Sequence, residues 1–156
     1  MKEIKTNVMR ILEQKKIKHE THSYVGTGAV SGSEVASALS QNPKRVFKTL
    51  VTVGKSKNNY VFVIPVEKEL NLKKAAKIVG EKSIDMLKSK DLLPLTGYIH
   101  GGCSPIGMKK FFKTVIDISA EEYNTIIFSA GKIGYQVEMS LSELSKVIRF
   151  TTADII

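Results

Sequence analysis

The stretch VFKTLVTVGKSKNNYVFVIPV, residues 46–66, decides the fold. Its first part, residues 46–53, alternates and is rich in β-branched residues, which predicts a strand. The polar segment GKSKNN at 54–59 predicts a turn, and residues 60–66 predict a second strand, so the two strands form a hairpin. Alternation puts Lys48 inside the first strand, among apolar neighbours. The hairpin therefore gives the protein a sheet with one lysine at an unusual position.

The residues before the hairpin predict two helices and a short strand. Apolar residues at positions 4, 8, 11 and 12 have helical spacing and predict an amphipathic helix that ends near Lys16. The segment 19–33 has no sustained period and is rich in Gly and Ser, which predicts a short strand followed by a loop. A short apolar helical face follows at 33–39.

The residues after the hairpin begin with a helix. Asn71 is a suitable N-cap and Gly80 a suitable C-terminal stop, so a helix is predicted between them. The segment 81–95 is ambiguous, with a brief strand predicted at 83–86.

The last third of the chain adds four predicted strands and two short helices. Ser119 with Glu122, and Ser140 with Glu143, have the spacing of capping boxes and predict helix starts. With no repeat or linker, the order of elements predicts one α+β domain over residues 1–156 with a mixed or mostly antiparallel sheet. The four strands are predicted at 97–100, 114–118, 125–128 and 135–139.

The composition is that of a globular protein with a strong basic excess. The 156 residues are 42% hydrophobic and 25% charged, which excludes a disordered, collagen-like or coiled-coil chain. The single cysteine, Cys103, excludes an internal disulfide and suits a reducing compartment. No apolar run is long enough for a membrane span, and the N-terminus has no signal-peptide pattern. We therefore expect a cytoplasmic protein with no membrane partner.

The net charge is +9, from 24 Lys and Arg against 15 Asp and Glu. Residues 1–50 carry nine basic and four acidic side chains and residues 51–100 nine and five, whereas residues 101–156 carry six of each. The excess indicates a polyanionic partner, and its alternative is an ordinary Lys-rich surface.

Lys48 is the first candidate for a functional residue. An unpaired ammonium is costly to bury, so the lysine either lies at an edge with its amine in water or faces an anionic ligand at the mouth of a pocket.

Two small-residue loops are further candidates. The loop GGCSPIG at 101–107 allows backbone N–H groups to point together, as in oxyanion holes. It lacks the pattern of a nucleotide-binding loop, so no nucleotide cofactor is expected. The loop 129–134 lies between two predicted strands and could line the same cleft.

A thiol hydrolase or a metal site is a weaker interpretation. Cys103 lies three residues after His100, but no orienting carboxylate is apparent. His19, His22 and His100 have no recognisable metal-ligand spacing, so we expect no metal and no other cofactor.

Four motifs in register resemble the YbaK/EbsC family of free-standing aminoacyl-tRNA deacylases, which are similar to the editing domain inserted in bacterial prolyl-tRNA synthetases. The resemblance covers nearly the whole chain and implies a mixed, barrel-like β-sheet flanked by helices, with the CCA 3′ end of tRNA entering a pocket. It also implies a trans-editing hydrolase acting on Cys-tRNA(Pro), without DNA as a partner and with prolyl-tRNA synthetase as a candidate partner. The motifs are VFKTL at 46–50, GYIHGGCSPIG at 97–107, TVID at 114–117 and SAGKIGYQVE at 129–138.

The resemblance also assigns site residues. Lys48 matches the family's essential lysine, and Gly101 with Pro105 matches its G-x-x-x-P loop, so Lys48 and Gly101 are the predicted catalytic residues. The chain departs from the family at Gln136, where YbaK carries Asp, and at Ser31, where YbaK carries an aromatic residue. The predicted substrate-binding residues are Tyr24, Thr49, Gly102, Ser104, Pro105, Ser129 and Gln136.

The predicted chemistry is ester hydrolysis through a tetrahedral oxyanion, held by N–H groups of the Gly101 loop. Lys48 would hold the phosphate or ribose of the terminal adenosine. The family implies attack by the substrate's own thiol, a lyase-like cyclisation, because no side chain is an obvious nucleophile. Tyr24 would offer a stacking platform for the single-stranded CCA end, or pack on the sheet with its hydroxyl at the rim. The alternatives are a deacylase for another charged tRNA such as Ala-tRNA(Pro), and a tRNA-binding module without catalysis.

Overall fold

The computed structural model describes residues 4–156, and this part of the chain forms five helices and eight strands. Single 3₁₀ turns lie at Pro43–Arg45 and Ile118–Glu122. The helices are α1 (Asn7–Gln14), α2 (Gly32–Ala38), α3 (Leu72–Val79), α4 (Ser89–Thr96) and α5 (Leu141–Leu144). The strands are β1 (Glu20–Ser23), β2 (Phe47–Gly54), β3 (Asn59–Pro65), β4 (Ile84–Met86), β5 (Lys113–Asp117), β6 (Ile126–Ser129), β7 (Tyr135–Met139) and β8 (Thr151–Ala153).

The strands form two sheets. The larger sheet has the order β4-β2-β3-β5-β8, and the smaller has the order β1-β7-β6. The β3–β5 and β5–β8 pairs are parallel and the other pairs antiparallel, so the predicted mixed α+β class is confirmed. The predicted barrel-like closure is corrected: within residues 4–156 the two sheets are open, and a single parallel bridge between Val46 and Ile127 joins them.

The hairpin β2–β3 is the centre of the larger sheet. Its antiparallel register places Lys48 opposite Ile64 and Val51 opposite Val61. Val61 and Val63 belong to the main core, whereas Phe62 and Ile64 pack in a second cluster with Ala75 of α3. β3 is therefore buried on both faces, and each of its fully buried large side chains contributes about 1.5–3 kcal/mol to stability.

Several helix termini follow from local sequence. Asn71 caps α3, because its side chain accepts hydrogen bonds from the N–H groups of Lys73 and Lys74, and Gly80 ends the helix in the left-handed conformation with φ 77°. The capping box predicted at Ser119 is wrong. The side chain of Asp117, two residues earlier, accepts from the Ser119 N–H and caps this short 3₁₀ turn, so Ser119 lies inside the turn.

The strand predicted at 97–100 is also wrong. The chain instead forms α4 and ends it at Gly97, which has φ 85°. Tyr98 then turns inward, where its hydroxyl donates to the Ile106 carbonyl. Tyr98 thus anchors a loop, whereas Ile99 is exposed. α4 was ambiguous in sequence because it contains Pro94, which removes a helical hydrogen-bond donor.

Within residues 4–156, the longest apolar helices fall well short of what a bilayer crossing requires.

Candidate functional site

A cleft of about 750 Å³ opens where the two sheets meet. Its walls come from α2, β2, the β4–α4 connection, the glycine loop after α4 and the β6–β7 hairpin. Most of the lining is apolar, with polar groups from Lys48 and the two small-residue loops. The cleft-lining residues include Tyr24, Ser31, Val35, Val46, Phe47, Lys48, Thr49, Leu50, Val51, Leu87, Ser89, Leu92, His100, Gly101, Cys103, Ser129, Tyr135 and Gln136.

Lys48 lies where β2 is covered on one side only. β4 pairs with β2 from Thr52 to Gly54, so the first half of β2 has β3 on one side and the cleft on the other. The Lys48 side chain is half-buried, and in the described part of the chain it forms no ion pair. An ammonium in this position is available to an anionic group of a ligand that enters the cleft.

The glycine turn, residues 99–102, forms the opposite lip. The Gly102 N–H donates to the Ile99 carbonyl at 3.0 Å, and Gly101 has φ 87°, which makes the segment a type II turn. That φ favours glycine at position 101, because a side chain there would be strained. Among residues 4–156 no protein acceptor binds the N–H groups of Gly101 and Cys103, and both residues line the cleft. The Gly102 N–H is used inside the turn.

The two small-residue loops lie against each other. A Cβ atom on Gly102 would lie 3.2 Å from the Ile133 nitrogen, so a larger residue there would push the two loops apart by a few tenths of an ångström. Ser104 and Pro105 are buried behind the turn, and the Ser104 hydroxyl accepts from the Ile106 N–H. The structure does not place Gly102, Ser104 or Pro105 among the cleft-lining residues. Their predicted part in substrate binding stays a prediction, and their observed part is to shape the turn.

The other predicted residues reach the cleft by different routes. Tyr24 is buried in the wall, so it packs there with its backbone N–H on the Gly134 carbonyl at 2.8 Å. Ser129 lies at the end of β6, where its hydroxyl accepts from the Gly131 N–H. Thr49 Oγ1 is buried and has no partner among the described residues, which leaves it for a ligand or a water molecule.

Cys103 and His100 both line the cleft, yet the thiol is poorly suited to be a nucleophile. Burial raises the pKa of Cys103 to about 12, so the thiol is protonated at neutral pH. The thiolate is the reactive form, and activation would need a lowered pKa instead. The burial of Cys103 therefore argues against the thiol-hydrolase interpretation.

Gln136 lies on β7 in the cleft wall and is paired with a residue that the sequence did not single out. The Gln41 Nε2 donates to the Gln136 Oε1 at 2.8 Å, and the Gln136 Nε2 donates back at 3.4 Å. Gln41 is 95 residues away in sequence, and no motif around it predicts this contact.

Glu138 on β7 is the centre of a second polar cluster, outside the cleft. It accepts hydrogen bonds from Arg45 and Thr125 at 2.6 Å and is 2.8 Å from His22. Burial acts to raise the pKa of Glu138, but the hydrogen bonds from Thr125, His22 and Arg45 outweigh it and lower the pKa. His22, Glu138 and Glu20 lie close enough to hold a metal ion, a grouping that the sequence spacing did not predict.

Fold and cleft together define a class: small α+β domains with a cleft between a strand lysine and a glycine turn. The family model for the aminoacyl-tRNA editing domain matches residues 27–147. The chain therefore belongs to the aminoacyl-tRNA editing domain family, and the family predicted from the sequence motifs is confirmed.

Individual relatives narrow the comparison. EbsC of Enterococcus faecalis is 48% identical over 87% of this chain and 84% of its own length. Its name describes it as an inferred Cys-tRNA(Pro)/Cys-tRNA(Cys) deacylase. A proline–tRNA ligase of Thermodesulfovibrio yellowstonii is 30% identical over 69% of this chain, which corresponds to 18% of the ligase. A crystal structure described as an inferred trans-editing enzyme for prolyl-tRNA synthetase superposes with a TM-score of 0.82 and 22% identity, covering 95% of this chain and 93% of that one.

Proposed function

We propose that this protein is a trans-editing hydrolase that removes the amino acid from mischarged tRNA, with Cys-tRNA(Pro) as its substrate. The observation that carries the proposal is that Lys48 and Gly101, far apart in sequence, border one cleft. The 48% identity to EbsC supports the substrate, since that relative is named for Cys-tRNA(Pro) and Cys-tRNA(Cys).

The terminal CCA of the tRNA enters the cleft with its aminoacyl ester between the two lips. Lys48 holds the phosphate or ribose of the terminal adenosine, because its ammonium has no carboxylate partner among residues 4–156. A cleft of about 750 Å³ accommodates an adenosine with an attached small amino acid. The apolar lining around Val35 and Leu92 removes water from the ester, which strengthens the polar interactions there.

The glycine turn supplies transition-state stabilisation. The free N–H groups of Gly101 and Cys103 bind the oxyanion that forms when the ester carbonyl becomes tetrahedral. One such donor is worth about 3–4 kcal/mol, or 10²–10³-fold in rate.

The attacking group comes from the substrate. The cysteine sulfur forms a bond to its own ester carbonyl carbon, the bond to the ribose oxygen breaks, and the thiol proton goes to that oxygen. The products are tRNA with a free terminal hydroxyl and a cyclic thioester of cysteine, which water then hydrolyses. This route explains why the cleft needs no nucleophile of its own and why the high pKa of Cys103, about 12, is compatible with activity.

The direct test is single-turnover deacylation of tRNA(Pro) charged separately with Cys, Ala and Pro. We expect rapid release of Cys and much slower release of Pro. Equal release of all three would contradict the proposed specificity, and tight, salt-sensitive tRNA binding without release of any amino acid would show a binding module in place of an enzyme.

One observation favours a second substrate. Gln136 and Ser31 line the cleft where the YbaK pattern has Asp and an aromatic residue, so the wall that meets the amino acid differs. A deacylase for Ala-tRNA(Pro) would use water as the nucleophile, because alanine has no thiol. Faster release of Ala than Cys in the same panel would establish that assignment.

Adding prolyl-tRNA synthetase to the assay tests the candidate partner, which the similarity to a proline–tRNA ligase suggests.

A further inference from the structure

Gln41 and Gln136 form a reciprocal amide pair across the wall of the cleft. The Gln41 Nε2 lies 2.8 Å from the Gln136 Oε1, and the reverse hydrogen bond is 3.4 Å long. Gln136 is 5% exposed and lines the cleft, whereas Gln41 lines a smaller polar cavity of about 420 Å³. The pair therefore lies between the two cavities, and neither amide can flip alone without losing both hydrogen bonds.

The backbone holds Gln41 in this position. Ser40 follows α2 in the left-handed conformation with φ 54°, and the Gln41 N–H donates to the Ala36 carbonyl at 2.8 Å. This is the hydrogen bond of a helix C-terminal motif whose left-handed residue is usually glycine. Here the left-handed residue is a serine, for which this conformation is unfavourable. The turn after α2 directs the Gln41 side chain towards Gln136 on β7.

The pair also determines which chemistry Gln136 offers. The two hydrogen bonds with Gln41 hold the Gln136 amide in place and leave it one N–H and one lone pair for other partners. The wall at this position is neutral, so it does not attract or repel a charge. A fixed neutral amide discriminates between ligands by hydrogen bonding, and a mobile amide would satisfy many ligands equally well.

We infer that Gln41 is a positioning residue that orients the Gln136 amide and thereby sets the preference of the cleft among small aminoacyl groups. The inference rests on the proposed function, because it concerns which charged tRNA the cleft accepts. Gln41 itself lies behind the wall and acts through Gln136.

The test measures kcat/KM for Cys-tRNA(Pro) and for Ala-tRNA(Pro) in the wild-type protein, Gln41→Leu, Gln136→Leu and the double variant. Losing one neutral hydrogen-bond pair should change the ratio of the two values about three- to tenfold in Gln41→Leu. In the Gln136→Leu background, Gln41→Leu should have no further effect on that ratio, because Gln41 acts only through Gln136. Gln14→Leu, a change at an exposed glutamine of α1, is the matched control and should leave the ratio unchanged.

Three results would overturn the inference. The first is an unchanged ratio in Gln41→Leu with equal losses on both substrates, which is the sign of a structural role. The second is additive effects in the double variant. The third result concerns Gln41→Glu, which replaces Gln41→Leu if that variant does not fold. The new carboxylate can accept from Gln136 but cannot donate to it, so the ratio should shift. An unchanged ratio would overturn the inference. A wild-type protein that releases no amino acid overturns the proposed function itself, and this inference with it.

Discussion

At the scale of single residues, Tyr98 shows how a side chain outside the cleft holds the glycine loop in place. Its ring is buried and its hydroxyl donates to the Ile106 carbonyl, so the two ends of the 98–106 loop are tied together. The glycine-rich sequence at 101–107 singled out Gly101. It did not predict that Tyr98 would turn inward, because an apolar run before a glycine loop also predicts a strand.

We predict that Tyr98→Phe destabilises the protein by about 1–3 kcal/mol, because a buried carbonyl loses its donor. The matched control is Tyr123→Phe, since Tyr123 forms no side-chain hydrogen bond among the described residues. Chemical denaturation measures both. Equal stability of the two variants would show that the hydroxyl of Tyr98 does not hold the loop.

The thiol of Cys103 leads to a second prediction at this scale. Its pKa of about 12 keeps it protonated at neutral pH, so Cys103→Ser should retain deacylation within about threefold of the wild-type rate. A loss comparable to that of a nucleophile variant would mean that the thiol takes part in the reaction after all.

At the scale of elements, the sequence predicted best those helices and strands that have one clear periodic or capping pattern. The hairpin β2–β3, the caps of α3 and the strands β6 and β7 lie where alternation and capping predicted them. α4 and β8 were not predicted, because α4 contains Pro94 and β8 has three residues that depend on pairing with β5. Tertiary contacts determine such short elements, and local sequence does not record those contacts.

At the end of α2, a change of serine to glycine should raise the stability of the protein at one position and lower it at another. Ser40→Gly should stabilise the protein by up to about 1 kcal/mol, because Ser40 has φ 54° and glycine adopts this conformation without strain. Ser37→Gly, inside the same helix, should destabilise it by about 0.5 kcal/mol. Thermal unfolding of the two variants measures the difference. Destabilisation by both would contradict the strain at Ser40.

At the scale of the whole molecule, the cluster around Glu138 connects parts of the chain that no local pattern relates. Glu138 on β7 binds Arg45 before β2, Thr125 before β6 and His22 on β1, and so it joins the smaller sheet to the start of the larger one. The sequence did not predict any contact among these four residues. The polyanionic partner that the basic excess indicates stays a prediction; of the basic residues, Lys48 lies in the wall of the cleft and Lys88 lies between two lining residues.

This cluster predicts a pH dependence of stability. The pKa of Glu138 in the folded protein lies below its ordinary value of 4.5, so at acidic pH the unfolded chain binds more protons. The stabilisation by Glu138 is therefore complete above about pH 4.5 and is lost as the pH falls through the lowered pKa. Unfolding free energies from pH 7 to pH 3 should fall less steeply in Glu138→Gln than in the wild type. The control Glu122→Gln, at an exposed glutamate, should follow the wild type; a Glu138→Gln profile parallel to it would refute the role of the cluster.

The measurement that tests the central claim most directly is single-turnover release of Cys from Cys-tRNA(Pro) by Lys48→Ala and Lys55→Ala. Both variants remove one positive charge from the β2–β3 hairpin, but Lys48 lines the cleft and Lys55 lies exposed at the turn. We predict a loss of about a hundredfold or more for Lys48→Ala and a rate near the wild type for Lys55→Ala. Wild-type turnover in Lys48→Ala would contradict the assignment of this cleft as the site of deacylation.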